Sequence, residues 1–451
     1  MKGLFDYYDV MKNLTPLVSV LVITSIAATA QGKDPHVPSN PPVGIIDTII
    51  ISGNEKTKDY VVLDEMTLKA GSLATNESIE FDRNRIYSLG LFTRVDIFCD
   101  TLQGQRFLFV DVSERWYIIP FPVFGFRDGD PKKAFYGGGL LHSNFTGRNQ
   151  KLFGSIVFGY NPALALSFFD PLLDREGRLF FSASLSFTRV RNKSEIAAAE
   201  TGDFDEKHYN INSTIGKRLS LYETVGLNLG YRFVRIDDYR PQRTVSPTGR
   251  DEYIYATLEY TYDSRDLREY PSEGQFFNAS VTKLGFGEGK VNFARWGVDY
   301  RRFVHLPFDF TFAGRVHGTL VSGGLIPTYN RVYFGFGERI RGYFKTVFEG
   351  ENLFGTTLEL RFPLIKTHTF HFTAVPLPAE FSVWRFGMSL AIFGDTGIAW
   401  FRGDKLTFNS FASGYGGGIH FLLPYSAIVR FEYAFNEFFE GQFIIDFRAS
   451  L

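Results

Sequence analysis

The sequence has one cysteine, almost no net charge and no long apolar run beyond its first thirty residues. Because Cys99 is the only cysteine among 451 residues, an internal disulfide is excluded, and no N-terminal cysteine is available for lipid attachment. A formal net charge of -1 gives no reason to expect a nucleic-acid partner. The absence of a run of about 18 apolar residues excludes membrane-spanning helices from this part of the chain.

Aromatic residues and glycine are abundant, although the mean hydropathy of -0.07 is that of a soluble protein. The chain contains 49 Phe, 23 Tyr and 44 Gly, and aromatic residues make up 17% of it. This combination indicates strands that are apolar on one face and polar on the other. A transmembrane β-barrel has such a composition because its lipid-facing and lumen-facing residues alternate.

Residues 1–30 have the pattern of a secretory signal peptide. Lys12 precedes the apolar stretch Leu14–Ile26, and small residues at Ala28–Ala30 form a cleavage pattern. A short anchoring helix is the alternative interpretation, and the start codon, Met1 or Met11, stays open. Export combined with a barrel composition predicts the outer membrane of a Gram-negative cell, with the soluble domain in the periplasm.

A polar, Pro-rich stretch at residues 31–44 is predicted to be a linker, and residues 45–115 are predicted to form a small two-layer α/β domain. Ile45, Ile49 and Ile51 indicate its first strand, and Thr57 is expected to cap the helix that follows. The predicted order is strand, helix, helix, strand, strand. The last four of these elements are predicted at 59–66, 76–89, 94–100 and 106–112.

The remainder, residues 116–451, alternates with a period of two. In Tyr253–Tyr262, apolar residues such as Ile254 and Leu258 alternate with polar ones such as Glu259. A soluble β-sandwich also alternates, but it rarely places aromatic residues on one face of every strand and Arg and Glu on the other. The pattern therefore favours a mainly β fold, a 16-stranded antiparallel transmembrane β-barrel behind one small α/β domain.

An even number of strands places both ends of the barrel on the periplasmic side. The predicted external loops 191–204, 236–250 and 321–352 are longer than most inner connections. The inner connections 263–274 and 363–383 are exceptions, and the second is apolar enough to lie along the inner membrane surface. The strands are predicted at 120–127, 134–142, 149–159, 164–169, 178–190, 205–217, 223–235, 251–262, 275–285, 290–304, 308–320, 353–362, 384–401, 411–422, 427–436 and 441–451.

Three short motifs mark the α/β segment: Ile49-x-Ile51-x-Gly53-Asn54, Gly90-Leu91-Phe92 and Val95-Asp96-Ile97. They resemble the periplasmic POTRA module of the BamA/TamA superfamily of outer-membrane assembly factors, also called the bacterial surface antigen type. The resemblance extends over residues 45–451. It includes one such module, whereas the family often has several.

Further motifs lie in the predicted barrel. Ile340-Arg341-Gly342-Tyr343 resembles the tip of the family's long external loop, and Phe393-Gly394-Asp395-Thr396-Gly397 resembles its thirteenth strand. The resemblance implies that the loop folds back into the lumen, where the aspartate region holds the loop arginine. Glu359 and Arg361 resemble an inward-facing position of the twelfth strand. Residues 262–266, with Pro271 and Gly274, resemble the inner turn after the eighth strand.

The loop 321–352 is too long for a simple connector. If it enters the barrel, Arg341 can form a bidentate pair with Asp395, whereas a solvated Arg341 is the alternative. Phe393 and Gly397 share the face of Asp395, and Gly397 is expected to leave space for loop backbone. We call this predicted site the loop latch. It comprises Arg341, Gly342, Tyr343, Phe393, Asp395, Gly397 and Glu359.

The second candidate site is the lateral seam, where the first and last strands meet. Pro120 and Pro122 cannot donate ladder hydrogen bonds to the last strand, which carries Phe443 and Phe447. A weak seam exposes an edge that can template another strand. The alternative is that the two prolines merely end the linker from the soluble domain.

No catalytic residue, metal site or cofactor is predicted. His142, Ser143 and Asn144 are adjacent on a strand and point to opposite faces, and His368 and His371 also diverge. The resemblance implies insertion, assembly or translocation of proteins at the outer membrane. Its partners are then the lipid bilayer, unfolded outer-membrane or secreted clients, and periplasmic accessory proteins. Secretion of one dedicated client and a passive porin or lipid-handling barrel are the rival functions.

Overall fold

The computed structural model describes residues 43–126, 133–287, 290–344, 346–371, 383–423 and 427–447. The predicted signal peptide 1–30 and residues 31–42 of the predicted linker lie outside these ranges. Gly44, predicted as linker, already belongs to a short strand. Within the described ranges, no helix combines the length and the apolarity needed to cross a membrane.

The N-terminal part is a two-layer α/β domain with a three-stranded sheet. The sheet order is β2–β5–β4, in which β2 runs parallel to β5 and β4 runs antiparallel to it. The predicted order of strands and helices is present, with two short additional strands, β1 and β3, that pair with each other. Ile45, predicted in the first strand with Ile49 and Ile51, lies in β1 instead, because it pairs with Leu73 of β3. The elements are β1 (Gly44–Ile45), β2 (Thr48–Ser52), α1 (Asp59–Leu63), β3 (Leu73–Ala74), α2 (Asn76–Ser88), β4 (Phe92–Leu102) and β5 (Gln105–Glu114).

Local sequence explains where the helices of this domain begin. Thr75 caps α2, because its hydroxyl accepts from the Ser78 N–H while the Ser78 hydroxyl accepts from the Thr75 N–H. The predicted cap of α1 is wrong, since the N-cap residue is Lys58, without a side-chain cap. Thr57 instead donates to the Glu114 carboxylate at 2.6 Å, because a charged acceptor makes the stronger hydrogen bond.

Sixteen strands follow in one antiparallel sheet whose spatial order is the chain order. The prediction of sixteen strands is confirmed. The strands are β6 (Ile118–Phe126), β7 (Ala134–Phe145), β8 (Gln150–Gly159), β9 (Ala163–Asp174), β10 (Leu179–Arg191), β11 (Asp205–Arg218), β12 (Glu223–Ile236), β13 (Arg250–Asp263), β14 (Gly274–Leu284), β15 (Phe293–His305), β16 (Thr311–Gly323), β19 (Asn352–His371), β20 (Val383–Trp400), β21 (Ala412–Leu423), β22 (Ala427–Asn436) and β23 (Gly441–Asp446).

Two of these strands run well past their predicted ends. β9 continues to Asp174, and β19 continues to His371 instead of ending near residue 362. β19 and β20 pair with each other beyond the end of β16, with register shifts after Pro363 and Ile365. The predicted connection 363–383 is therefore strand at both ends, and residues 372–382 lie outside the described part.

The two ends of the barrel differ in their connections. At one end most of the described turns are short, with 264–273 as the exception, and the α/β domain contacts this end. The Lys58 N–H donates to the Gly147 carbonyl at 3.0 Å, and the ring centroids of Phe81 and Tyr222 are 6.1 Å apart. At the other end lie the long loops, which contain α3 (Glu195–Thr201) and the hairpin of β17 (Val332–Phe334) and β18 (Phe348–Gly350).

Alternation separates an apolar outer face from a polar lumen. On β13, Ile254 and Leu258 are more than half exposed on the outer face. On the other face, Tyr255 donates its hydroxyl to Asn210, and Glu259 accepts from the amide of Asn278 at 2.5 Å. The predicted division between a lipid face and a lumen face therefore follows the strands as expected.

Candidate functional site

The segment between β16 and β19 turns back into the barrel instead of staying outside it. Phe334 and Ile340 from this loop are each 2% exposed, and they pack against Leu353 of β19 and Ala412 of β21. Tyr343 stacks edge to face on Phe348 with ring centroids 5.2 Å apart. Apolar loop residues thus seat the loop tip against the barrel wall.

Arg341 is bonded to Asp395 in bidentate geometry. Its Nε donates to Oδ2 and its Nη2 to Oδ1 of Asp395, each at 2.8 Å. The backbone N–H of Arg341 donates to the same carboxylate at 3.0 Å. Both residues are 6% exposed, so water competes weakly for these bonds.

The remaining guanidinium nitrogen of Arg341 reaches two further carboxylates. Its Nη1 donates to Glu359 at 2.8 Å and to Glu432 at 3.1 Å. The guanidinium carbon lies 3.5 Å from the centroid of the Phe393 ring, in the geometry of a cation–π contact. Charged groups and an aromatic face therefore surround the arginine.

Charge in this cluster is balanced. Arg361 donates to Glu359 at 2.7 Å, and Arg430 donates to Glu432 at 2.8 Å. With Arg341 and Asp395, the buried part of the cluster has three guanidinium groups facing three carboxylates, and Arg430 also donates to the partly buried Asp446 at 2.8 Å. Removing the loop arginine would leave an excess of negative charge in a site that is largely closed to water.

Glycines in the wall make room for the loop, although not as expected. A Cβ on Gly397 would lie 2.6 Å from the Phe334 ring, so loop side chains rather than loop backbone fill that space. The backbone approaches Gly414 instead, where a Cβ would lie 1.6 Å from the Arg341 carbonyl oxygen. Gly342 adopts φ +101°, a conformation that favours glycine.

The structure adds residues that the predicted loop latch lacks. Glu432 and Arg430 complete the charge balance, Gly414 admits the loop backbone, and the Gln442 amide oxygen accepts from the Phe344 N–H at 2.9 Å. In the sequence, Arg430 and Glu432 alternate with Phe431 and Tyr433, a pattern that indicates charges on the lumen face of that strand. Nothing in the local sequence distinguishes Gly414 from neighbouring glycines.

One group among the described residues has the composition of a metal site. Ligand atoms of Glu359, His420 and Glu432 lie within 4.8 Å of one another. Both oxygens of Glu359 accept from Arg341 and Arg361, and Oε1 of Glu432 accepts from Arg341 and Arg430, while Oε2 of Glu432 has no partner among the described residues. Three cations in this position fit an ion-pair cluster better than a divalent metal.

The α/β domain docks on the barrel through a buried carboxylate. Glu65 accepts from Arg85 of its own domain at 2.6 Å and from Arg218, at the end of β11, at 2.8 Å. Burial alone raises the pKa of Glu65, but Arg218 and Arg85 outweigh burial and lower that pKa to about 2. The ionised carboxylate is thus the form that holds the domain in place.

The residues of the predicted lateral seam lie on the two outermost strands of the sheet. Among the described residues, the sheet order begins at β23 and ends at β6, without a ladder between them, and residues 448–451 lie outside the described part. β6 pairs continuously with β7, so an N–H at the positions of Pro120 and Pro122 would point away from β7. Phe443 and Phe447 are 62% and 50% exposed.

Two family models match the chain. The Omp85 superfamily domain matches residues 144–443, and the POTRA model, described as a surface antigen variable number repeat, matches residues 44–115. The outer membrane protein assembly factor BamA of Nitratidesulfovibrio vulgaris is 25% identical over 313 residues. That match includes 66% of this chain and 37% of the relative, so the chain spans little more than a third of that protein.

Solved structures share the fold. BamA from Haemophilus ducreyi lacking POTRA domains 1–3 has a TM-score of 0.53 at 14% identity, with 90% of this chain and 84% of that chain covered. CdiB from Escherichia coli has a TM-score of 0.52 at 11% identity, with 98% of this chain and 97% of that chain covered. At these identities the likeness concerns the fold alone.

A sixteen-stranded antiparallel β-barrel preceded by one small α/β domain has the architecture of the POTRA-bearing outer-membrane barrels. The Omp85 model matches more than half of the chain. The chain belongs to the Omp85 superfamily. Its barrel lies in the outer membrane, and its POTRA domain lies in the periplasm.

Proposed function

We propose that this protein inserts or assembles other proteins at the outer membrane. The observation that carries the proposal is the loop latch, in which the loop residue Arg341 is bonded to Asp395 and Glu359 of the barrel wall. A passive porin needs a loop that narrows an open pore. A buried and charge-balanced cluster instead favours one discrete loop position, from which the loop can be released as a unit.

The relatives support the same class of activity. The curated relative is an outer membrane protein assembly factor, and one of the similar structures is a BamA. Because this chain spans 37% of the curated relative, the activity is transferred as part of the proposal. The partners proposed are the bilayer, unfolded outer-membrane or secreted clients, and periplasmic accessory proteins.

The lateral seam supplies the proposed route into the membrane. Pro120 and Pro122 remove two donors from the edge of β6. An edge with unpaired backbone groups can accept the strand of a client by β-augmentation. The proposed cycle uses no enzymatic step, nucleotide, metal or cofactor, because client folding supplies the free energy.

Depletion of this protein followed by quantitative proteomics of the outer membrane tests the proposal. Broad loss of unrelated barrels is the expected result, because a general insertase serves many clients. Loss of a single secreted protein would overturn general assembly in favour of a dedicated translocase. An unchanged proteome would contradict both and leave a pore or lipid-handling role.

A disulfide tests the lateral seam directly. In a Cys99→Ser background, Phe443→Cys paired with a cysteine in β6 should block client assembly until reductant is added. The matched control joins Phe443→Cys to Tyr433→Cys, which are directly opposite each other in the β22–β23 ladder. This control should retain activity because those strands are already paired. Full activity with the seam crosslinked would show that the seam does not open.

A further inference from the structure

The inner turn between β13 and β14, residues 264–273, contacts both the POTRA domain and the residues around the loop latch. On the POTRA side, Leu267 is 6% exposed and belongs to the same hydrophobic core as Ile86 and Leu108 of that domain. The neighbouring N–H of Arg268 donates to the Ser88 hydroxyl at 3.4 Å. A barrel turn thus completes the core of the periplasmic domain.

The same turn is tied to strand β20 beside the POTRA domain. Glu269 accepts from Arg385 at 2.9 Å, and the Arg385 guanidinium lies 4.5 Å from the centroid of the Tyr87 ring in α2. Displacement of α2 would therefore disturb the turn through two routes, the apolar contact at Leu267 and the cation–π contact of Arg385.

At Tyr270, three residues after Leu267, the same turn contacts the charge cluster around Arg341. The Tyr270 hydroxyl lies 2.9 Å from Nδ1 of His420, and Nε2 of His420 lies 3.2 Å from Glu432. Because a carboxylate only accepts, Nε2 carries the proton that is donated to Glu432, and Nδ1 accepts from Tyr270. Glu432 in turn accepts from Arg341.

A second connection runs through Arg361. Its Nη1 donates to the Pro271 carbonyl at 3.2 Å, and its guanidinium lies 4.3 Å from the centroid of the Tyr270 ring. Arg361 also donates to Glu359, which accepts from Arg341. Both connections thus end on the loop arginine through different carboxylates.

The turn is braced by its own hydrogen bonds. Asp266 accepts from the N–H and the hydroxyl of Ser272 at 2.9 Å and 2.6 Å, and from the N–H of Glu273 at 3.1 Å. Because these bonds join the two ends of the turn, we expect a shift at Leu267 to be transmitted to Tyr270 rather than absorbed between them.

We infer that Tyr270 and His420 are positioning residues that make insertion of the loop depend on docking of the POTRA domain. This inference rests on the proposed function, since it concerns what controls the loop latch. When the POTRA domain is docked, Leu267 lies in the core of that domain and the Tyr270 hydroxyl is bonded to His420. His420 then orients Glu432 toward Arg341. When the domain is released, Leu267 loses its apolar contacts and Glu432 is no longer held in that orientation.

A disulfide reporter measures loop insertion without relying on activity. Phe344→Cys and Gln442→Cys, in a Cys99→Ser background, replace residues that are hydrogen-bonded in the inserted state. The rate of their oxidation in outer membranes reports the inserted fraction. Because Tyr270→Phe removes one hydrogen bond to a buried group, it should slow oxidation by about three- to tenfold.

Tyr222→Phe is the matched control. Tyr222 also lies in an inner turn and packs on the POTRA residue Phe81, but the structure places no latch residue beside it. Its oxidation rate should equal that of the parent. Equal rates for Tyr270→Phe and Tyr222→Phe would overturn the inference.

Coupling is tested with a double-mutant cycle. Glu65→Gln weakens POTRA docking and should slow oxidation of the reporter when Tyr270 is present, but far less in Tyr270→Phe. Strictly additive effects would mean that Tyr270 is only structural, and would also overturn the inference. The variant Arg341→Ala distinguishes a failure of this inference from a failure of the proposed function. If Arg341→Ala does not slow oxidation, the loop latch itself is wrong.

Discussion

Replacing Gly414 with alanine tests how closely the loop tip fits the barrel wall. An ideal Cβ on Gly414 would lie 1.6 Å from the Arg341 carbonyl oxygen, whereas real Cβ atoms essentially never approach a heavy atom within 3.0 Å. In Gly414→Ala, either the Arg341 main chain or β21 must therefore move by roughly 1.4 Å, because a packed wall leaves no spare volume.

The size of the effect follows from the bonds that such a shift breaks. Arg341 is bonded to Asp395 at 2.8–3.0 Å, and a displacement of this size takes those contacts beyond hydrogen-bonding distance. Breaking a buried ion pair costs about 3–5 kcal/mol, and about 1.4 kcal/mol corresponds to a factor of ten. We expect the ratio of inserted to released loop to fall by roughly 10²–10⁴-fold.

Trypsin digestion of intact outer membranes measures that ratio, because Arg339 and Arg341 in the loop tip become cleavable on release. The matched control is Gly394→Ala, beside Asp395 on β20. A Cβ there would have no heavy atom within 4 Å, so wild-type resistance is expected. Heat-modifiable mobility on gels confirms that each variant has folded. A folded Gly414→Ala variant as resistant as Gly394→Ala would refute the steric argument.

Three further predictions concern single side chains. Arg341→Lys keeps the charge but loses the bidentate geometry, so trypsin should cleave its loop faster than in wild type and more slowly than in Arg341→Ala. Phe393→Leu removes the aromatic face beneath the guanidinium and should weaken loop insertion by about 0.5–2 kcal/mol, measured as the shift in the same digestion curve. The pKa of Glu65 is about 2 in the docked protein, below the 4.5 of a free glutamate, because Arg218 and Arg85 outweigh burial; the ionised carboxylate therefore supports docking above pH 4.5, and this support is lost as pH falls toward 2. A fluorescence measurement of the distance between the POTRA domain and the barrel should show release of the domain at low pH. Glu65→Gln should weaken docking at neutral pH and reduce the dependence of that distance on pH.

Much of the architecture was accessible from local sequence. Strand alternation is visible because each residue of a membrane strand faces either lipid or lumen, so polarity alternates along Tyr253–Tyr262 whatever its neighbours are. Strand ends were less accessible. β19 continues to His371 because it pairs with β20 beyond the rest of the sheet, which depends on a partner and not on its own residues.

Some residues of the loop latch could be predicted from the sequence, and others only became apparent in the structure. Arg341 and Asp395 stood out through their motifs, but Glu432 lies 91 residues from Arg341, and only curling of the sheet brings the two together. Gly414 and His420 were likewise invisible, because their roles depend on what approaches them across the lumen. The link between Glu65 and Arg218 joins residues 153 apart, so it requires the docked arrangement of domain and barrel.

By itself, then, the sequence determined the fold class, the number of strands and which faces are apolar. Those properties come from local periodicity and from the hydrophobic effect acting on each strand separately. Only the tertiary structure decided which charges neutralise one another, which glycine admits the loop and which turn connects the POTRA domain to the charge cluster. These depend on distances between remote segments, which local periodicity does not encode.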